Sequence, residues 1–117
     1  MVEDNKQLML RMLAAFASGD ASEGRAIVSP GYVDHQDEHV MGQGGFIALI
    51  EAVHRRYPDL VAHVEDLLAE DDRVVARVRW EGIRQPDGAR TTAESMDMVR
   101  FVGGRAVEHW GVSRGWP

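Results

Sequence analysis

The 117-residue chain has no cysteine and a single lysine. The first absence excludes disulfides, thiolate nucleophiles and cysteine-ligated metals. The second, with Lys6 close to the start of the chain, leaves Schiff-base chemistry without a plausible candidate. No apolar run approaches the length of a membrane span. The opening Met-Val-Glu-Asp-Asn-Lys lacks the basic start and apolar centre of a signal peptide, so a cytoplasmic address is expected. A net charge of −6 without a basic stripe argues against nucleic acid and anionic membranes as partners. No repeat, low-complexity tract or linker divides the chain, and residues 1–117 read as one domain with a real core.

What is present falls into two halves. Residues 4–18 carry Met9, Met12, Leu13 and Phe16 at helical spacing, with Gly19 just past the end. Asp20 followed by Glu23 predicts a capping box that opens a short helix over roughly 21–28, ended by Ser29-Pro30-Gly31. Tyr32-Val33-Asp34-His35 reads as a brief extended piece. From Gly45 to Tyr57, the residues Phe46, Leu49, Ile50, Val53 and Tyr57 make an apolar helical stripe that Pro58 stops. Four strands follow, Leu60–Glu70, Arg73–Ile83, Ala89–Val102 and Arg105–Ser113, with Asp71-Asp72 and Pro86-Asp87-Gly88 supplying turns. The order predicts an α+β fold: a curved antiparallel sheet over three N-terminal helices, with an apolar cavity at its open end.

The closing hairpin carries the chemistry. A two-residue loop at Gly103-Gly104 would set Asp97 opposite Trp110. A three-residue loop, Val102-Gly103-Gly104, sets Asp97 opposite His109, Val99 opposite Val107 and Phe101 opposite Arg105. The second register gathers Val99, Phe101 and Val107 on one face and is the one expected. Asp97 and His109 then stand on an apolar wall. The other face, with Met96, Met98, Trp110 and Val112, is apolar for a solvent surface, and a homodimer through it is expected.

The order of elements, with Tyr32-Val-Asp-His35, Gly42-Gln-Gly-Gly-Phe46, Tyr57-Pro-Asp59, Val74-Val-Ala-Arg-Val-Arg-Trp-Glu-Gly82 and Asp97-Met-Val-Arg-Phe101 before Gly104-Arg-Ala-Val-Glu-His-Trp110, resembles the SnoaL-like polyketide cyclases. The resemblance implies the conical, barrel-like fold of the nuclear transport factor 2-like (cystatin-like) superfamily. It also implies an acid/base pair on the last two strands. One member aligns with Asp97, where cyclases carry a histidine or another polar group. The other is an aspartate right after the His-Trp, where this chain has Gly111. The aldol pair is therefore incomplete unless Asp97 has taken over the role. The superfamily's use of one cavity for several reactions leaves the chemistry open.

A carboxylate beside an imidazole can act as a base held in place by a donor, or can simply satisfy two buried polar groups. Asp97 and His109 are the leading catalytic candidates. The resemblance places Tyr32 and His35 at the cavity with His35 turned inward, able to polarise a carbonyl or shuttle a proton. Phe16, Phe46, Tyr57, Trp80 and Val99 are core residues of which some line the cavity and contact substrate. His35-Gln-Asp-Glu-His39 lacks the His-Glu-x-x-His order of zinc hydrolases and reads as an acidic loop, so no metal is expected. Arg77 and Arg79 read as surface or dimer-interface charges. The expected function is cofactor-free acid/base chemistry on a hydrophobic small molecule such as a polyketide: cyclisation, isomerisation, dehydration or hydrolysis. The alternatives are a non-catalytic ligand-binding or scaffold protein of the same fold, and a heteromeric partner subunit using the face around Trp110.

Overall fold

The computed structural model of the chain describes residues 2–37 and 41–116. Helix α1 (Val2–Ser18) buries Met9, Met12 and Leu13, one helical face. It stops where Gly19 takes φ +76° and gives its N–H to the Ala15 carbonyl at 2.9 Å. Asp20 then caps α2 (Ala21–Ile27), accepting the Glu23 N–H at 3.1 Å. Only half of the predicted capping box forms, because the Glu23 carboxylate bonds the Arg11 guanidinium of α1 instead. Helix α3 (Gly42–Arg56) starts three residues earlier than the apolar stripe suggests and buries Phe46, Ile47 and Ile50. A Cβ on Gly24 would lie 2.9 Å from Ile50 Cδ1, so a glycine is what lets α2 lie directly on α3.

Helix α2 ends at Ile27, one residue short of the expected end, and strand β1 (Val28–Asp34) follows at once, running through Ser29-Pro30-Gly31. Pro30 is tolerated because β1 is an edge strand. Strands β2 (Val61–Glu70), β3 (Arg73–Ile83), β4 (Arg90–Val102) and β5 (Arg105–Arg114) complete an unclosed, curved sheet in the order β1-β5-β4-β3-β2. The α+β architecture is the expected one. The sheet is not wholly antiparallel, however: β1 runs parallel to β5, with Asp34 opposite His109. Helix α3 and three strands separate the two in sequence, ample chain for the crossover that a parallel pair needs.

Strict alternation sorts the sheet into two faces. Val74, Ala76, Val78 and Trp80 of β3, with Ala93, Val99 and Phe101 of β4, are buried in one core with the helices. On the outer face Arg77 pairs with Asp66 at 2.6 Å and Arg79 with Glu65 at 3.1 Å. Leu68, Val75, Met98 and Trp110 stand opposite one another there, an apolar row across four strands.

The β4–β5 register corrects the expected hairpin. The turn is the two-residue one: Gly103 and Gly104 take φ +59° and +81°, and Val102 faces Arg105. One residue further in, Val107 is bulged out, so Arg100 faces Glu108, Val99 faces His109 and Asp97 faces Gly111. Turn and bulge together shift the pairing by two residues from the expected register. An even shift preserves the face, so Asp97 and His109 still share the inner wall, now as diagonal neighbours.

Candidate active site

Three strands bring the site together. Alternation along β4 turns Ser95, Asp97 and Val99 inward, and β1 does the same for Tyr32 and Asp34. His109 of β5 lies between them. Its Nε2 is 2.8 Å from Asp97 Oδ1 and its Nδ1 is 3.0 Å from Asp34 Oδ1. Ionised carboxylates only accept hydrogen bonds, so both ring nitrogens donate and the ring is an imidazolium. Burial opposes the charge, but the bonds to Asp34 and Asp97 outweigh it and lift the His109 pKa from 6.5 to about 9.

Both carboxylates are further held. Asp34 Oδ1 also accepts the backbone N–H groups of Gln36 at 2.9 Å and Asp37 at 3.3 Å. Burial works to raise the Asp34 pKa, yet the His109 bond and charge and these two N–H groups bring it below the ordinary value. The Tyr32 hydroxyl reaches Asp34 Oδ2 at a long 3.4 Å. Burial first, and the Asp34 charge second, push its pKa well above 10, so Tyr32 stays a neutral donor. On the other side, Ser95 Oγ donates to Asp97 Oδ2 at 2.6 Å while accepting Trp80 Nε1–H at 2.8 Å. The result is a continuous hydrogen-bonded line: Trp80, Ser95, Asp97, His109, Asp34, Tyr32.

This line edges a cavity of about 400 Å³ between the sheet and the helices. Phe16, Tyr32, Phe46, Tyr57, Trp80 and Val99 all line it, as do Asp97 and His109. Most of the remaining wall is apolar and includes Met9, Met12, Leu49 and Trp116. Trp116, beyond β5, sets its ring 5.5 Å from that of Tyr57 and 6.1 Å from that of Trp80.

His35 is the exception. It does not turn inward: its Nε2 meets Glu108 Oε2 at 2.7 Å, and its ring stacks on Trp110 at 5.0 Å on the outer face. The cause is the two-residue period, since Tyr32 and Asp34 take the inward positions and His35, one step on, points the other way. Sequence reasoning missed Asp34, Ser95 and Trp116 as members of the site. The same period, counted from Tyr32, was the available signal for Asp34. For Trp116 no comparable pattern exists.

Gly111 has a spatial reason. A Cβ there would lie 2.4 Å from Gln36 Oε1, 2.9 Å from Asp97 Oδ1 and 3.0 Å from His109 Cε1. Any side chain would therefore press on the contact between Asp97 and His109. Among the described residues no group of three or more His, Asp or Glu is arranged to hold a metal ion. His39, the second histidine of the acidic loop, lies outside the described residues.

The family model for SnoaL-like polyketide cyclases matches residues 6–114. Among solved structures, AclR of Streptomyces galilaeus, a proposed hydroxylase, is 30% identical with a TM-score of 0.86, covering 100% of this chain and 83% of its own. IdmH of Streptomyces antibioticus, a proposed polyketide cyclase, is 25% identical with a TM-score of 0.80, over 93% of this chain and 91% of its own. A cystatin-fold protein from Novosphingobium aromaticivorans shares the fold alone, at 15% identity and a TM-score of 0.83 over 92% of this chain and 97% of its own. Among curated proteins none matches.

Proposed function

The chain belongs to the SnoaL-like polyketide cyclase family, and from that premise we propose a cofactor-free acid/base enzyme acting on a hydrophobic small molecule, such as a polyketide, held in the cavity. The observation that carries the reading is Asp97: a buried carboxylate in the cavity wall, oriented by His109 on one oxygen and by Ser95 on the other. Each oxygen keeps a lone pair for a substrate proton. Asp97 acts as the base toward an acidic C–H or O–H. His109, already an imidazolium, orients that base and does not itself accept a proton. Asp34 positions His109 from behind.

A proton removed next to a carbonyl leaves negative charge on oxygen, which needs a donor in a dry site. The neutral Tyr32 hydroxyl is suited to this, being only loosely engaged with Asp34. His35 does not share that role, since it faces away from the cavity. Cyclisation, isomerisation, dehydration and hydrolysis all fit such a base and donor. The test is turnover on a panel of aromatic polyketide, enone and epoxide substrates by wild type and Asp97→Ala. Loss of a positioned base lowers the rate by about a hundredfold or more; equal rates would sink the assignment.

One observation favours a second reading, a ligand-binding or scaffold protein: Gly111 stands where cyclases place an acid. The open cavity reaching Asp97 supports the enzyme over it. We also propose that a second copy packs on the outer face, supported by the apolar row through Leu68, Val75, Met98 and Trp110. The lack of nucleic-acid or anionic-membrane partners belongs to the same reading, supported by the acidic balance without a basic stripe.

A further inference from the structure

We propose that the cavity admits ligands that are neutral or positively charged at the end reaching Asp97, and rejects carboxylates and phosphates. This rests on the reading of the cavity as a ligand site. The acidic and basic side chains of its lining are Asp34, Asp37, Asp97 and His109. Two carboxylates flank one imidazole at 3.0 and 2.8 Å, so this inner group is negative whether or not the ring is charged.

Among the described residues no arginine or lysine lines the cavity. Five arginines of the sheet and its loops are drawn off to outside acids: Arg77 to Asp66, Arg79 to Glu65, Arg84 to Asp87, Arg100 to Glu108 and Arg114 to Glu94. Sites built for carboxylate or phosphate place a cation or free N–H groups at the anion. Around Asp97 the donors are spent inward: Trp80 Nε1–H goes to Ser95, the Ser95 hydroxyl to Asp97 and both His109 nitrogens to carboxylates. The Tyr32 hydroxyl, held only at 3.4 Å by Asp34, is a neutral donor and brings no positive charge. The incoming polar group therefore meets the spare acceptor lone pairs of Asp97.

The walls add to the preference. Phe16, Trp80, Trp116 and Tyr57 form a chain of ring contacts 5.5 to 6.1 Å apart along the cavity. These rings give the cavity flat apolar walls and bring no cation to it. The ligand class that fits is a flat apolar molecule whose polar end is a hydroxyl, an N–H or an ammonium.

Three probes of like shape test this: naphthylmethanol, naphthylmethylammonium and naphthoate, titrated into wild type by calorimetry at neutral pH and low salt. We expect naphthoate to bind roughly tenfold or more weakly than the alcohol, and the ammonium at least as tightly as the alcohol. Asp97→Asn narrows the gap between alcohol and acid. Naphthoate binding as tightly as naphthylmethanol to wild type overturns the charge preference while leaving the cavity a ligand site. Failure of all three to bind overturns both.

Discussion

His109 is the group whose titration reports most directly on the site. Its pKa rises from 6.5 to about 9 on folding, and at about 1.4 kcal/mol per unit this corresponds to about 3 kcal/mol of stability. The side chain is only 12% exposed, so solvent screening removes little of it. The folded state binds the proton more tightly than the unfolded chain. The contribution is therefore complete below pH 6.5, shrinks as pH rises and is gone above about pH 9. The window closes below 10.0, where the buried Tyr32 hydroxyl starts to add a slope of the same sign. Urea denaturation across this range should show wild-type stability falling with pH, and His109→Gln should flatten the fall. In parallel, NMR of the wild-type imidazole should show the ring protonated well above neutrality. Flat wild-type stability, an unchanged slope in His109→Gln, or a ring titrating near 6.5 would refute the doubly bonded imidazolium.

The line of bonds on the other side predicts an order of costs. Ser95→Ala strands both Trp80 Nε1–H and one oxygen of Asp97, and should lower the urea-derived stability by about 1–3 kcal/mol; a neutral effect would mean that the hydroxyl bonds little in solution. Gly111→Asp should destabilise by at least about 1 kcal/mol, because its Cβ invades the contact between Asp97 and His109 and a second carboxylate joins the first. Adding Asp97→His to it should recover part of that loss in a double-mutant cycle, and simple additivity would contradict the coupling. On the outer face, Trp110→Glu should convert a dimer to a monomer in sedimentation equilibrium, and a monomeric wild type removes the proposed pairing.

Much of this was legible in the chain because it is periodic. The stripe through Met9, Met12 and Leu13 and the alternation along β3 and β4 leave few choices of element or face. Two features were not. The Val107 bulge is one residue of backbone geometry with no side-chain signature; it supplies one of the two positions by which the pairing differs from the expected register, and the two-residue turn supplies the other. The parallel contact of Asp34 with His109 joins strands far apart in sequence, and nothing local announces it. The orientation of His35 is legible after all: the resemblance implies an inward turn, but the period running through Tyr32 and Asp34 points it outward, as the structure has it.

The same register gives Gly111 its meaning. Asp97 and Gly111 are opposite residues on one rung of β4 and β5. The resemblance to the cyclases implies an acid at the position of Gly111 and a histidine or another polar group at that of Asp97. Here the carboxylate stands on β4 and the last strand offers only backbone. Space disfavours a side chain at residue 111, since a Cβ there would lie 2.9 Å from the Asp97 oxygen. Two carboxylates on the rung would also repel, raising the cost of charging either. The rung therefore keeps one acid, delivered from the other side, and His109 bridges it to Asp34 on β1. On the reading of Asp97 as the base, a substrate must therefore present its acidic proton toward β4.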